Sequence, residues 1–218
     1  MYKLCAFDLD GTLVDTIADI AFSVNLILEQ MGYPVCEEDS YRRKVGNGMR
    51  LLCRRALPED VQDDEAVLEE LVRRYDAYYS AHCCDRSRAY PGIPELIVRL
   101  RKAGVRCAVI SNKPHAQSQI VLGTLFSEDD FDYVEGQSSR FARKPDPEAL
   151  IDCMKTLGVS EDETVYVGDS DVDAVFAANA GVACIGVSWG FRGRKELEEA
   201  GASFIADTAD EIFARVTE

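Results

Sequence analysis

Basic residues are scarce in this chain. The 218 residues include 24 Lys and Arg against 39 Asp and Glu, which gives a formal net charge of −15. Nucleic-acid-binding proteins neutralise phosphates with Lys and Arg, so this balance argues against that class. It also disfavours docking on an anionic membrane surface. A small anion is still an acceptable ligand, because a metal ion and a few cations reverse the field inside a pocket.

The sequence also lacks the usual signatures of zinc sites and membrane spans. No C-x-x-C pair occurs, so zinc is not expected and the eight cysteines are expected to be reduced thiols. No run approaches the ~20 apolar residues of a spanning helix. The four apolar residues before Asp8 are too few for a signal-peptide core. We therefore expect a soluble, cytoplasmic protein.

From residue 90 onward the chain alternates short apolar runs with amphipathic segments. This alternation, with a buried strand before Asp8, indicates an α/β fold built on a parallel sheet with helices on both faces. The predicted strands are 2–7, 105–110, 131–135, 165–167, 182–187 and 203–205. The predicted helices are 94–103, 147–157, 172–180, 194–200 and 209–216, with another opened by 111–114.

The segment from 16 to 88 has no convincing strand pattern. Apolar residues at helical spacing follow a predicted N-cap at Asp15 or Thr16, with Asp19 in the position of a capping-box acid. Two helical pieces broken at 46–48 and a long helix at 64–81 come next. We predict an all-helical cap at 16–88, inserted into a core domain formed by 1–15 and 89–218.

Polar clusters follow three of the predicted strands: 8–10, 111–112 and 169–173. Such a sheet binds ligands at the carboxyl ends of its strands, so we expect these clusters to converge. In an extended segment Asp8 and Asp10 point the same way. Two like charges so close raise one pKa unless a cation lies between them. Gly11 allows a turn that presents backbone amides to a ligand. A metal site is therefore predicted here.

These clusters carry a family resemblance. The segment Asp8-x-Asp10-Gly11-Thr12-Leu13, followed by Asp15-Thr16, resembles the first motif of the haloacid dehalogenase-like hydrolases. Ser111, Lys144 and the segment Gly168-Asp169-Ser170-x-x-Asp173 resemble the second, third and fourth motifs, in order. The resemblance spans the whole chain and implies a Rossmann-like core.

The resemblance also implies a mechanism centred on two acids. Asp8 would be the nucleophile that accepts a phosphoryl group as an aspartyl-phosphate. Asp10 would protonate the leaving alkoxide and then activate the hydrolytic water. An acid at the position of Asp10 distinguishes the phosphotransferases of this superfamily from its dehalogenases.

Metal and phosphate ligands are implied in the same way. Mg²⁺ would be held by oxygens of Asp8, Asp169 and the Asp10 carbonyl. Ser111 and the Asn112 amide would bind phosphoryl oxygens, and Lys144 would screen their charge. The supporting residues would be Asp173, Gly11 and Thr12.

Two loops point to a subfamily. The segments Val45-Gly46-Asn47-Gly48 and Ser188-Trp189-Gly190-Phe191 resemble loops of phosphoglycolate phosphatases. This implies Mg²⁺-dependent hydrolysis of a small phosphate monoester, with Asn47 and Arg50 reaching its distal carboxylate. From the residues alone, Arg50 equally fits a solvated helix face. The partner would be a small molecule, and the protein a monomer or a homodimer.

Three alternatives stay open. A β-phosphoglucomutase-type mutase would use the same four motifs but return the phosphoryl group to a sugar phosphate. An inorganic pyrophosphatase of the superfamily is a second alternative. A non-catalytic protein that binds a phosphometabolite is the third, and the presence of every motif acid, Ser111 and Lys144 opposes it.

Overall fold

The computed structural model describes residues 1–218 and contains one six-stranded sheet. The strands are β1 (Leu4–Phe7), β2 (Val14–Asp15), β3 (Arg88–Ala89), β4 (Arg106–Pro114), β5 (Tyr133–Gln137), β6 (Thr164–Gly168), β7 (Ala183–Val187) and β8 (Phe204–Ala206). The sheet has the order β5-β4-β1-β6-β7-β8, and every neighbouring pair is parallel. The prediction of a parallel α/β sheet is confirmed.

The chain contains nine α-helices. They are α1 (Ile17–Gln30), α2 (Met49–Ala56), α3 (Glu65–His82), α4 (Ile93–Lys102), α5 (His115–Leu125), α6 (Glu148–Leu157), α7 (Asp171–Asn179), α8 (Arg194–Glu199) and α9 (Ala209–Thr217). Single 3₁₀ segments lie at Glu38–Arg43, Glu128–Asp130 and Glu161–Glu163. None of these helices combines the length and the apolar character that crossing a bilayer would require.

The side chains of β1 show that both faces of the sheet are covered. Cys5 and Phe7 belong to one hydrophobic cluster, whereas Leu4 and Ala6 belong to another, and all four are completely buried. Successive strand residues point to opposite faces, so each cluster packs on its own side. All eight cysteines are free thiols.

A short antiparallel ribbon joins the helices of 16–88 to the sheet. Strand β2 pairs with β3, with Val14 opposite Ala89 and Asp15 opposite Arg88. Helices α1 and α2 both pack against α3 between these two strands. The ribbon was not predicted, because two-residue strands carry no periodic signal. It lies at both predicted boundaries and supports our proposal that 16–88 is a cap.

Asp19 does not act as a capping-box acid, so that expectation is wrong. Its completely buried carboxylate accepts hydrogen bonds from the backbone N–H of Arg86, at 2.9 Å, and of Ser87, at 2.8 Å. The Ser87 hydroxyl donates to it as well, at 2.7 Å. Asp19 therefore ties α1 to the segment that enters β3.

Strand β4 is longer than predicted. It continues through Ser111, Asn112 and Lys113 to Pro114, with an irregular register after Ile110, and α5 begins only at His115. Pro114 favours extended backbone in the residue before it, which explains why the helix starts late.

Candidate active site

A cavity lies at the carboxyl edge of the sheet, beneath the helices of 16–88. Its lining includes the predicted residues Asp8, Asp10, Ser111, Asn112, Lys144, Asp169 and Asp173, but not Gly11 or Thr12. The polar lining residues are Asp8, Asp10, Ser111, Asn112, Lys113, Gln117, Lys144, Asp169, Ser170, Asp173 and Arg192. They meet there because β1 lies between β4 and β6, so the residues that end these three parallel strands are neighbours.

Asp8 immediately follows β1 and is almost completely buried, with 8% of its surface exposed. The ammonium of Lys144 lies 2.9 Å from its Oδ1, at ion-pair distance, but the contact lacks the angles of a hydrogen bond. Burial raises the pKa of Asp8 to about 6; Lys144 opposes this shift, whereas Asp173 and Asp10 add to it. An additional cation beside Asp8 would favour its charged form.

Lys144 is held by three oxygen atoms. Its ammonium donates to Asp173 Oδ1 at 2.7 Å and to Tyr166 Oη at 2.9 Å, in addition to the contact with Asp8. Burial disfavours the charged ammonium, but Asp173 and Asp8 outweigh it and hold the pKa of Lys144 well above its usual value. The side chain is therefore a fixed positive charge.

Asp169 lies at the end of β6 and faces Asp8. Carboxylate oxygens of Asp8, Asp169 and Asp173 all lie within 4.8 Å of one another. Asp169 Oδ2 accepts from the Phe191 amide at 2.6 Å, and Oδ1 lies 3.4 Å from the Thr12 hydroxyl. Burial, followed by repulsion from Asp173 and Asp8, raises the pKa of Asp169 well above its usual value.

The turn after Asp10 strongly favours glycine at position 11. Gly11 has a φ of +87°, and a Cβ built there would lie 2.5 Å from Asp169 Oδ2. The missing side chain thus lets the first motif approach the acid of the fourth.

Asp173 has little capacity left for a metal. Its Oδ2 accepts from the Asp169 amide at 3.2 Å and from the Ser170 amide and hydroxyl at 3.1 and 2.7 Å. Its Oδ1 pairs with Lys144. These contacts fit a residue that supports Lys144 and the start of α7.

The charges that line the cavity do not balance. Four carboxylates with little exposure, Asp8, Asp10, Asp169 and Asp173, face two similarly buried ammonium groups, Lys113 and Lys144. The third cation of the lining, Arg192, already pairs with Glu196 at 3.0 Å. The excess is two negative charges, which matches one divalent cation. The donors are hard oxygens, the type that Mg²⁺ prefers. Among them, Asp8 and Asp169 retain oxygens that could hold such an ion.

Asp10 is fixed by two side chains. The Thr16 hydroxyl donates to its Oδ1 at 2.8 Å, and the Lys113 ammonium lies 3.1 and 3.3 Å from Oδ1 and Oδ2. Thr16 is one of the two residues predicted as the N-cap, but its hydroxyl makes no cap bond and donates to Asp10 instead.

The side chain of Ser111 keeps a hydrogen-bond donor available to a ligand, whereas that of Asn112 is fully hydrogen-bonded within the protein. Ser111 Oγ accepts from the Lys113 amide at 3.3 Å, so its own hydrogen is available to a ligand. The Asn112 side chain binds the Lys144 amide and carbonyl, at 2.9 and 3.2 Å, and the Gly46 carbonyl at 3.1 Å. Asn112 thereby fixes the lysine loop.

The structure does not bring the predicted cap residues Asn47 and Arg50 into this cavity. Arg50 pairs with Glu65 on the surface, and Asn47 Oδ1 accepts from Arg55 at 3.0 Å. The neighbouring glycines 46 and 48 line the cavity in their place. The loop is thus near the site, but the two side chains point elsewhere.

Lys113, Tyr79 and Arg192 also line the cavity and were not among the predicted site residues. Lys113 directly follows Ser111 and Asn112, so its position in the sequence could have indicated that it lies in the site. Tyr79 of α3 lines the cavity and contacts Lys113. Arg192 donates to the carbonyls of Arg42 and Val45, the latter at 3.1 Å, and joins the loop after β7 to the helical segment.

Comparison with known proteins identifies the family. Residues 5–187 match the profile of the family described as haloacid dehalogenase-like hydrolase. The chain belongs to this family. The haloacid dehalogenase-like resemblance, with its phosphoglycolate phosphatase-like subfamily and its phosphoric monoester hydrolase activity, is confirmed.

Relatives include the phosphoglycolate phosphatase of Pseudomonas savastanoi pv. phaseolicola, 36% identical over 94% of this chain and 76% of that protein. The phosphoglycolate phosphatase of Colwellia psychrerythraea is 32% identical over 96% and 95%. Among solved structures, a predicted phosphoglycolate phosphatase from Haemophilus somnus 129PT superposes with a TM-score of 0.91, at 29% identity over 100% of this chain and 98% of that chain. The Protein Tyrosine Kinase A of Mycobacterium tuberculosis also superposes, with a TM-score of 0.81 and 30% identity over 100% and 99%. The fold alone therefore does not fix the phosphoryl acceptor.

Proposed function

We propose that this haloacid dehalogenase-like phosphatase is Mg²⁺-dependent and hydrolyses a small phosphate monoester through an aspartyl-phosphate on Asp8. The observation that carries the proposal is the uncompensated charge around Asp8. A buried carboxylate beside one fixed lysine and two further acids suits a site that receives both a divalent cation and a phosphate dianion.

The chemical steps use two carboxylates. A carboxylate oxygen of Asp8 attacks phosphorus while the bond from phosphorus to the leaving oxygen breaks. Asp10, which takes up a proton when the anionic ester binds, gives that proton to the leaving oxygen. Water then attacks the phosphorus of the aspartyl-phosphate, and Asp10 takes back a proton. The bond from Asp8 to phosphorus breaks, which releases inorganic phosphate and restores the Asp8 carboxylate.

Neighbouring residues bind and orient the phosphoryl group. The Ser111 hydroxyl and the backbone N–H of Asn112 would donate to its oxygens, and Lys144 would counter the charge that gathers at Asp8. Asp173 holds the Lys144 ammonium in place for this role.

Mg²⁺ would be held by Asp8, Asp169 and the Asp10 carbonyl, with Gly11 and Thr12 shaping the turn between them. When bound, the ion would neutralise negative charge so that the anionic ester can approach Asp8. The excess of two buried negative charges supports this assignment.

Phosphoglycolate or a similarly small ester is the proposed substrate. The relatives named phosphoglycolate phosphatase support this choice, and so does a cavity covered by the helices of 16–88. Closure of such a cap would exclude water and orient the ester.

A panel of phosphate esters with Mg²⁺ tests the function. Wild-type protein should release inorganic phosphate from phosphoglycolate, EDTA should stop the reaction, and Mg²⁺ should restore it. Asp8→Asn should reduce phosphate release to background, because an amide is not a competent nucleophile, whereas the exposed Asp210→Asn should retain full activity. Interconversion of a sugar phosphate without phosphate release would favour the mutase, and pyrophosphate as the preferred substrate would favour the pyrophosphatase.

A further inference from the structure

Lys113 connects the helical segment to Asp10. Its side chain is 3% exposed, and its ammonium lies 3.1 Å from Asp10 Oδ1 and 2.6 Å from the hydroxyl oxygen of Tyr79. Asp10 belongs to the loop after β1, Lys113 to β4 and Tyr79 to α3. One ammonium group therefore joins the sheet, the proposed general acid and the cap.

Tyr79 is itself firmly held. It is 2% exposed, its ring stacks on Tyr75 at 5.1 Å between centroids, and its face lies 4.7 Å from the Lys113 ammonium. A lysine side chain carries about 2 kcal/mol of rotamer entropy, so it needs such contacts to stay in one conformation. Packing on the ring and the hydroxyl acceptor together supply them.

A second contact lies on the same side of α3. The Gln117 amide of α5 donates to Asp76 Oδ1 at 3.0 Å and to Ser80 Oγ at 3.2 Å. It fixes α3 against the core one turn of helix before Tyr79 and at the residue directly after it. The position of Tyr79, and with it that of Lys113, therefore depends on how α3 sits on the sheet.

We propose that Lys113 is a positioning residue that holds Asp10 in its catalytic orientation, and that Tyr79 makes this orientation depend on a closed cap. The inference rests on the proposed function. Thr16 fixes one Asp10 oxygen, and Lys113 fixes the plane of the carboxylate through both. Withdrawal of α3 would remove the Tyr79 acceptor and free Lys113, so Asp10 would be aligned only when the substrate is enclosed.

Leaving-group dependence tests this role. The alkoxide of phosphoglycolate needs a proton from Asp10, whereas p-nitrophenolate leaves without one. For Lys113→Met we expect kcat with phosphoglycolate to fall on the order of 100-fold, the size of a general acid–base contribution. With p-nitrophenyl phosphate, Lys113→Met should form the aspartyl-phosphate at the wild-type rate and hydrolyse it slowly. The stopped-flow trace should then show a burst of p-nitrophenolate.

Tyr79→Phe removes a single oxygen, and the same measurements on this variant test the proposal if Lys113→Met does not fold. It should give the same pattern with a smaller effect. Arg43→Gln is the matched control, because it breaks another contact between cap and core, Arg43 to Glu196 at 2.7 Å, without touching Asp10. Its ratio of activities on the two esters should equal that of the wild type. In an Asp10→Asn background, Lys113→Met should cost little further activity.

Other outcomes would overturn the inference. If Lys113→Met raises KM for phosphoglycolate alone and shows no burst, Lys113 binds the distal carboxylate instead. An equal loss of phosphorylation rate on both esters would also contradict a role through Asp10. If wild-type protein hydrolyses esters and both variants match it, only the role of Lys113 fails. If wild-type protein hydrolyses no ester, the proposed function itself fails.

Discussion

The ammonium of Lys144 lies 2.9 Å from Oδ1 of Asp8, and both groups are almost completely buried. Lys144 thus supplies a counter-charge to the Asp8 carboxylate, while Oδ1 of Asp8 still has no hydrogen-bond donor. The pair is also unbalanced, since Asp173 shares the same lysine and Asp169 lies beside both. The carboxylates around Lys144 therefore repel one another in the folded protein, and this repulsion should lower its stability measurably.

Asp8→Asn should stabilise the metal-free protein at neutral pH. The folded pKa of Asp8 is raised from 3.8 to about 6, so the native state binds more protons than the unfolded state between these values. Stability therefore falls as pH rises through this interval, and the loss is complete above pH 6. Urea denaturation in EDTA should show the variant more stable by about 1 to 3 kcal/mol at pH 7.5, and nearly equal to wild type at pH 4. A difference that does not change with pH would contradict this account.

Lys144→Met should have the opposite effect. It removes the cation that Asp8 and Asp173 share, and a broken buried ion pair costs about 3 to 5 kcal/mol. Lys3→Met is the matched control, because Lys3 pairs with Glu163 at the surface with 62% of its side chain exposed. An exposed pair contributes about 0 to 1 kcal/mol. Equal losses in urea denaturation at pH 7.5 would show that Lys144 is not the main counter-charge of the site.

Gly11→Ala should separate backbone strain from damage to the site. Gly11 and Gly104 have similar φ values, +87° and +83°, but only a Cβ at Gly11 would strike Asp169. Gly104→Ala should lose about 1 kcal/mol of stability through backbone strain alone, and Gly11→Ala should lose more, because its Cβ also meets Asp169. Only Gly11→Ala should also weaken Mg²⁺ binding, measured by calorimetry, and phosphatase activity. Intact Mg²⁺ affinity in Gly11→Ala would mean that Asp169 moves aside without consequence.

The sequence pattern predicted those parts of the site that depend on strand ends. Asp8, Ser111 and Asp169 each follow an apolar run, and the order of parallel strands is enough to bring them together. Lys113 and Tyr79 could not be paired in this way. They are 34 residues apart, on a strand and a helix whose contact depends on how the helices of 16–88 pack on the sheet. The ion pair of Arg50 could not be predicted from the residues next to it in the sequence either, because its partner Glu65 starts a different helix.

The partners of Asp19 could not be predicted from the local sequence either. Its sequence position suits a capping box, yet its carboxylate accepts from two backbone amides and a hydroxyl 67 to 68 residues away. Asp19→Ala would leave these donors without a partner, at about 1 to 3 kcal/mol for each buried group. We therefore expect a loss of at least about 3 kcal/mol in urea denaturation. Asp39→Ala, at an exposed acid that pairs only with Arg42, should change stability by about 0.5 kcal/mol or less. Because Asp19 joins α1 to the segment entering β3, hydrogen exchange in Asp19→Ala should rise first in α1 and at 83–89. Uniform exchange across the whole chain would instead mean that cap and core unfold as one unit.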